Sequence, residues 1–209
     1  MSNTTLHNEN VSVTLKSLGA ELTSIKDASG TEYLWQGNPE FWSGQAPVLF
    51  PIVGCLRNGT ATIGDNKTCS FGRHGLARRL EFDLVSSSDT SVTYSLKAND
   101  KTKEQYPYDF ELQMTYELTE HGVKVSHTVI NHDSVVMPYC VGGHPAFNCP
   151  VFENESFEDY IVEFEQPENA ACAQLTEDGL INNADRVSVL ENEAVIPVRH
   201  SLFYKDALV

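Results

Sequence analysis

Apolar and polar residues alternate along much of this chain. Val11, Val13 and Leu15 are separated by polar residues, as are Phe82 and Leu84, and then Val92, Tyr94 and Leu96. Phe110, Leu112, Met114, Tyr116 and Leu118 form a longer run, Val123, Val125, His127 and Val129 another, and residues 161–164 a shorter one. A period of two places every second side chain on one face, so each run predicts a strand with one face buried. Turn residues punctuate the runs, as at Ser29-Gly30, Asn58-Gly59, Gly64-Asp65 and His132-Asp133. Helical signal is confined to single polar turns at residues 99–104 and 39–42. The pattern predicts an all-β protein in which antiparallel sheets pack face to face as a β-sandwich. No proline- or serine-rich linker and no repeat of fixed period divides residues 1–209, so a single domain is expected. The last ten residues, 200–209, read as an apolar strand with no polar tail, which predicts a chain that stops within its fold.

Composition narrows the partners. The 209 residues are 41% hydrophobic, enough for a sizeable core, and carry 29 acidic against 14 basic side chains, a formal net charge of −15. That balance repels nucleic-acid phosphates and anionic membranes, so neither is expected as a partner. It also disfavours a heavily phosphorylated substrate unless a local basic cluster counteracts it; a neutral small molecule fits best. Residues 1–10 are polar and the longest apolar stretch, 46–53, is broken by Pro47 and Pro51, so neither a signal peptide nor a membrane span is predicted. Cys55, Cys69, Cys140, Cys149 and Cys172 are odd in number and form no C-x-x-C pair, which predicts free thiols and a cytoplasmic location.

Three segments stand apart from the strands: APVLFPIVGCLRNGT at 46–60, GRHGLARR at 72–79 and VGGHPAFNCP at 141–150. His74 lies between Arg73 and Gly75; His144 follows Gly142-Gly143 and precedes Pro145. Flanking glycines permit unusual backbone angles or close approach of a ligand, and proline holds the preceding residue extended. A lone turn histidine is usually structural, but two framed in this way make a shared site as good a reading as two structural roles. His7, His121, His127, His132 and His200 have no such setting and read as structural. No H-x-H, H-E-x-x-H or paired-cysteine spacing indicates a metal. Nucleotide-binding glycine motifs and the G-x-S-x-G elbow are also missing. Trp35, Trp42, Phe50, Tyr106 and Phe147 lie near the three segments; core packing is the default for most, and stacking on a sugar is the alternative.

With these segments in hand, the chain resembles the galactose mutarotase-like superfamily, in the aldose 1-epimerase branch that includes the LacX-type proteins of lactose operons. The resemblance runs from GAELTSIKD at 19–27 through Tyr33-Leu34-Trp35, LFPIVG at 49–54, HGLAR at 74–78 and GGHPAFN at 142–148 to LFYKDAL at 202–208. It implies a large antiparallel β-sandwich, no metal or organic cofactor, and interconversion of the α and β anomers of a free hexose or pentose. His144 would serve as general acid at the ring oxygen, His74 would hydrogen-bond the sugar nearby, and Asp206 would bind its hydroxyls.

Two departures from the family pattern qualify this. The arginine that often follows F-P-I-V-G is replaced by Cys55, leaving Arg57 or Arg73 to supply a cation at the sugar. The family's basic glutamate sits in a segment resembling I-E-P-W, and nothing like it occurs before Val209. The expectation is a chain that lacks its last strands and its base, binds sugar weakly, turns over poorly, and either self-associates through an open C-terminal edge or is poorly stable alone. The alternative is a sugar-binding relative without catalysis.

Overall fold

Alternation translates directly into burial at residues 11–16, whereas Leu84 of the Phe82–Leu84 run stays 55% exposed. In the computed structural model, which describes residues 2–64 and 66–204, Val11, Val13 and Leu15 point inward while Ser12, Thr14 and Lys16 lie between them at partial exposure. The strands up to this point and just beyond are β1 (Asn3–His7), β2 (Val11–Lys16) and β3 (Glu21–Asp27), an antiparallel sheet in the order β1-β2-β3. Next come the short β4 (Val48–Leu49) and the hairpin β5 (Thr60–Ile63) and β6 (Lys67–Ser70). Then follow β7 (Asp83–Ser87), β8 (Ser91–Lys97), β9 (Phe110–Leu118) and β10 (Val123–Asn131), a second antiparallel sheet in chain order. Two-residue β11 (Gly142–Gly143) pairs with β4.

Leu6, Val13 and Leu15 from the first sheet and Tyr94, Leu112, Met114 and Tyr116 from the second share one buried cluster. Buried tyrosines need partners for their hydroxyls, and here these tie the sheets together: Tyr116 donates to the Ala20 carbonyl at 2.6 Å and Tyr94 to Thr4 at 2.7 Å. The predicted polar turn at 99–104 is the single α-helix among the described residues, α1 (Asp100–Gln105). Asn99 caps it, its side chain accepting from the Thr102 N–H while the Thr102 hydroxyl accepts from the Asn99 N–H. Residues 39–41 form only a turn, closed on the Asn38 carbonyl by Phe41 and Trp42.

Contacts divide the chain into two compact units, the first ending at Asn148 and the second beginning at Cys149. The second is built on one long hairpin, β12 (Ile161–Leu175) and β13 (Ile181–Pro197), whose register shifts four times. The alternation in 161–164 marks only its beginning. Beyond that point bulges shift the register, so a period of two cannot persist in the sequence. Residues 200–203 form a 3-10 turn where the sequence suggests a strand. In such a turn side chains three apart lie on one side, and His200 and Phe203 both meet Phe157, with ring centroids at 4.5 and 6.0 Å. All five cysteines are free. No helix among the described residues is long and apolar enough to cross a membrane.

Candidate active site

The first unit brings His74 and His144 together: their ring centroids are 5.8 Å apart at an interplanar angle of 67°. Each is set by the backbone around it. His74 and Gly75 both adopt left-handed backbone, with φ of 67° and 75°. Histidine tolerates that region only with support, and Gly54 supplies it. The His74 N–H donates to the Gly54 carbonyl at 2.8 Å, and the Gly54 N–H donates back to His74 Nδ1 at 3.0 Å. Nδ1 is therefore an acceptor, which puts the proton of the neutral ring on Nε2. His74 accordingly presents an N–H donor from the end of its ring opposite Gly54.

His144 follows the short β4–β11 pairing, in which Gly142 opposes Leu49 and Gly143 opposes Val48. Its own N–H donates to the Pro47 carbonyl at 3.1 Å, and Ala146 donates to the Gln45 carbonyl at 2.8 Å. Asn148 closes the segment: its side-chain amide donates to the carbonyls of Glu32 and Leu34. The chain from 142 to 148 is thus laced to 45–49 and 32–35, and His144 is left exposed at the surface of that seam.

Trp42 forms a wall beside it, its ring centroid 5.1 Å from that of His144. The Trp35 indole fixes the Trp42 backbone by donating to its carbonyl at 2.7 Å. Gly44 leaves room for the ring, since a Cβ there would come within 2.7 Å of Trp42 Cε2. Glu21 braces the same segment from below. Its carboxylate accepts from the N–H groups of Gln45 and Ala46 at 3.1 and 3.0 Å and pairs with Lys16 at 2.6 Å. A cleft of about 240 Å³ opens alongside, lined by Glu21, Trp42, Pro47, Arg78 and Arg79 among others.

The expected cations are distributed unevenly. Arg57 lies exposed on a 3-10 turn, with no hydrogen bond, ion pair or ring contact to either histidine among the described residues. Arg73 directly precedes His74, and its carbonyl accepts from Arg78 Nη2 at 3.1 Å. Asp206 lies outside the described residues. Trp42, Glu21, Arg78 and Arg79 were not singled out as site residues from the sequence. The readable signal was the run GRHGLARR, which carries three arginines within eight residues of an acidic chain. Among the described residues no group of three His, Cys, Asp or Glu side chains is placed to hold a metal ion.

The chain is mostly β and antiparallel, and it brings two histidines together beside a tryptophan. The chain is a member of the aldose 1-epimerase family, whose model matches residues 2–193. It is 43% identical to the plasmid and chromosomal LacX proteins of Lactococcus lactis subsp. lactis over 97% of its length, and it spans 70% of theirs. A galactose mutarotase related enzyme from Lactobacillus acidophilus superposes with a TM-score of 0.91 at 32% identity, covering 98% of this chain and 68% of that one. A galactose mutarotase-like protein from Lactobacillus casei superposes with a TM-score of 0.87 at 32% identity, covering 98% and 70%. The fold is therefore galactose mutarotase-like.

Proposed function

We propose that this protein binds an aldose at the His74–His144 pair and interconverts its α and β anomers. The observation that carries the reading is the meeting of two histidines, one of them fixed as an Nε2–H donor by Gly54. Opening a cyclic hemiacetal requires a proton delivered to the ring oxygen and another removed from the C1 hydroxyl. In this reading His144 delivers the first and takes it back on closure, because an imidazole can both give up and accept a proton. His74, held as a donor, orients the ring oxygen. Trp42 offers a flat apolar surface for the C–H face of the sugar.

Removal of the C1 hydroxyl proton calls for a general base, assistance worth roughly 10²–10⁴-fold. The test is NMR exchange spectroscopy on the anomers of D-glucose and D-galactose, with sugar binding measured in parallel. Anomer exchange faster than the spontaneous rate, lost in His144→Asn, is expected. Absence of sugar binding would sink the reading. A second reading, a sugar-binding relative that does not turn over, is favoured by Cys55 standing where the family often has arginine. Binding with no acceleration by the wild-type chain would select it.

A further inference from the structure

Beside the histidine pair, an acidic protein gathers cations. Arg78 and Arg79 line the cleft that Trp42 and Pro47 also border, and both of those residues touch His144, Trp42 through its ring and Pro47 through its carbonyl. The carboxylate in the cleft, Glu21, is already engaged by Lys16 and by two backbone N–H groups. Arg78 spends one nitrogen on the Arg73 carbonyl, while its Nε is buried with no hydrogen-bond partner among the described residues. A buried donor left without a partner costs free energy unless something else supplies the acceptor. Burial pushes the Arg78 pKa down, and the Arg79 and Arg73 guanidinia add to that shift while Glu21 opposes it. Guanidinium nonetheless stays charged in proteins, so Arg78 and Arg79 repel one another, and an anion held between them would relieve that.

We propose that the aldose bound here carries an anionic substituent, a phosphate ester or a carboxylate, which Arg78 and Arg79 hold beside Trp42. The proposal rests on the sugar-binding reading above and names the substrate class for that site. A sugar ring at the histidines and against Trp42 has the arginine cleft as its neighbour, so a charged group at one end of the ring enters it without moving the reacting end. Planar guanidinium forks match both phosphate and carboxylate oxygens.

Equilibrium titration of the 209-residue protein with D-glucose, glucose 6-phosphate, glucuronate and inorganic phosphate tests this, with galactose counterparts in parallel. An anionic sugar is expected to bind roughly 10–100-fold more tightly than its neutral parent, the range given by one charge-assisted hydrogen bond. Whether phosphate or carboxylate gives the larger gain identifies the source of the anion. Arg79→Glu, at an exposed position, is expected to bring the anionic-to-neutral affinity ratio down toward one, and Arg79→Lys to restore part of it; thermal melts check that each variant is folded. Equal affinity for neutral and anionic sugars overturns the proposal and leaves sugar binding standing. A preference that survives Arg79→Glu, or inorganic phosphate binding as tightly as the sugar phosphate, also overturns it. No binding of any sugar overturns both readings.

Discussion

Replacing Gly75 by alanine tests whether the His74 turn is held as described. Gly75 sits at φ 75° and bridges to Phe50. A Cβ built there lies 2.6 Å from the Phe50 carbonyl carbon and 2.8 Å from Pro51 N, and closer still to the Phe50 oxygen. That oxygen accepts from both Leu76 and Ala77, at 2.9 and 3.2 Å, so it cannot retreat without loosening both bonds. The left-handed conformation costs an L-residue about 1–2 kcal/mol. Two weakened hydrogen bonds add roughly 0.5–1.5 kcal/mol each. The expected loss is about 2–5 kcal/mol, a drop in Tm of roughly 5–15 °C for a protein of this size. Gly30→Ala is the matched control, because Gly30 has φ 88° and nothing within 4 Å of its Cβ; it should lose only the conformational part, about 1–2 kcal/mol. Thermal and urea unfolding of the two variants give the comparison, and sugar titration should show Gly75→Ala also weakened at the site. A Gly75→Ala protein as stable as Gly30→Ala would refute the argument that the turn is locked against Phe50.

Gly44→Ala should act the other way round: its Cβ meets the Trp42 indole rather than backbone, so melting temperature should hold while sugar affinity falls several-fold, read by titration against Trp42→Phe. Glu21→Gln keeps the oxygen that accepts from both Gln45 and Ala46 but removes the Lys16 ion pair; unfolding in urea should show a loss of about 1–3 kcal/mol. Burial holds the pKa of His127 below its ordinary value, and its Nε2 has no partner among the described residues. The unfolded chain therefore takes up this proton first, so stability is full above the unfolded pKa of about 6.5 and declines as pH falls through the depressed folded value. His127→Leu should flatten that part of the stability–pH curve.

The first unit was legible where its strands bury one face, as β2 and β9 do, and less so at β7, whose residues are all exposed. Val11 to Leu15 and Phe110 to Leu118 wrote their period of two into the sequence. The long β12–β13 hairpin was legible only at its start. Bulges break its register, and Ile161, Val162, Ile181 and Val187 remain exposed, so burial does not enforce an alternation there. At the site, glycine framing pointed to both histidines, although of those glycines only Gly75 is required by a close backbone approach, to Phe50 and Pro51. Trp42 could be named but not assigned, because stacking on His144 and packing in a core call for the same residue type. Glu21 lies within GAELTSIKD, but nothing in the sequence assigned it a role, since its partners include backbone N–H groups, which every residue but proline has. Arg57 was suggested by its spacing from Gly54, but the 3-10 turn at Arg57–Gly59 breaks the strand geometry that would have aimed it.

The central claim is that His74 and His144 form one sugar site, and histidine-resolved NMR tests it directly. Imidazole nitrogen spectra, assigned with His74→Asn and His144→Asn, should show His74 as the Nε2–H tautomer. On titration with an aldose both rings should shift along one curve with a single Kd, and replacing either histidine should weaken the response of the other. Rings that shift with different Kd values, a single ring responding alone, or no response to any aldose, neutral or anionic, would contradict it.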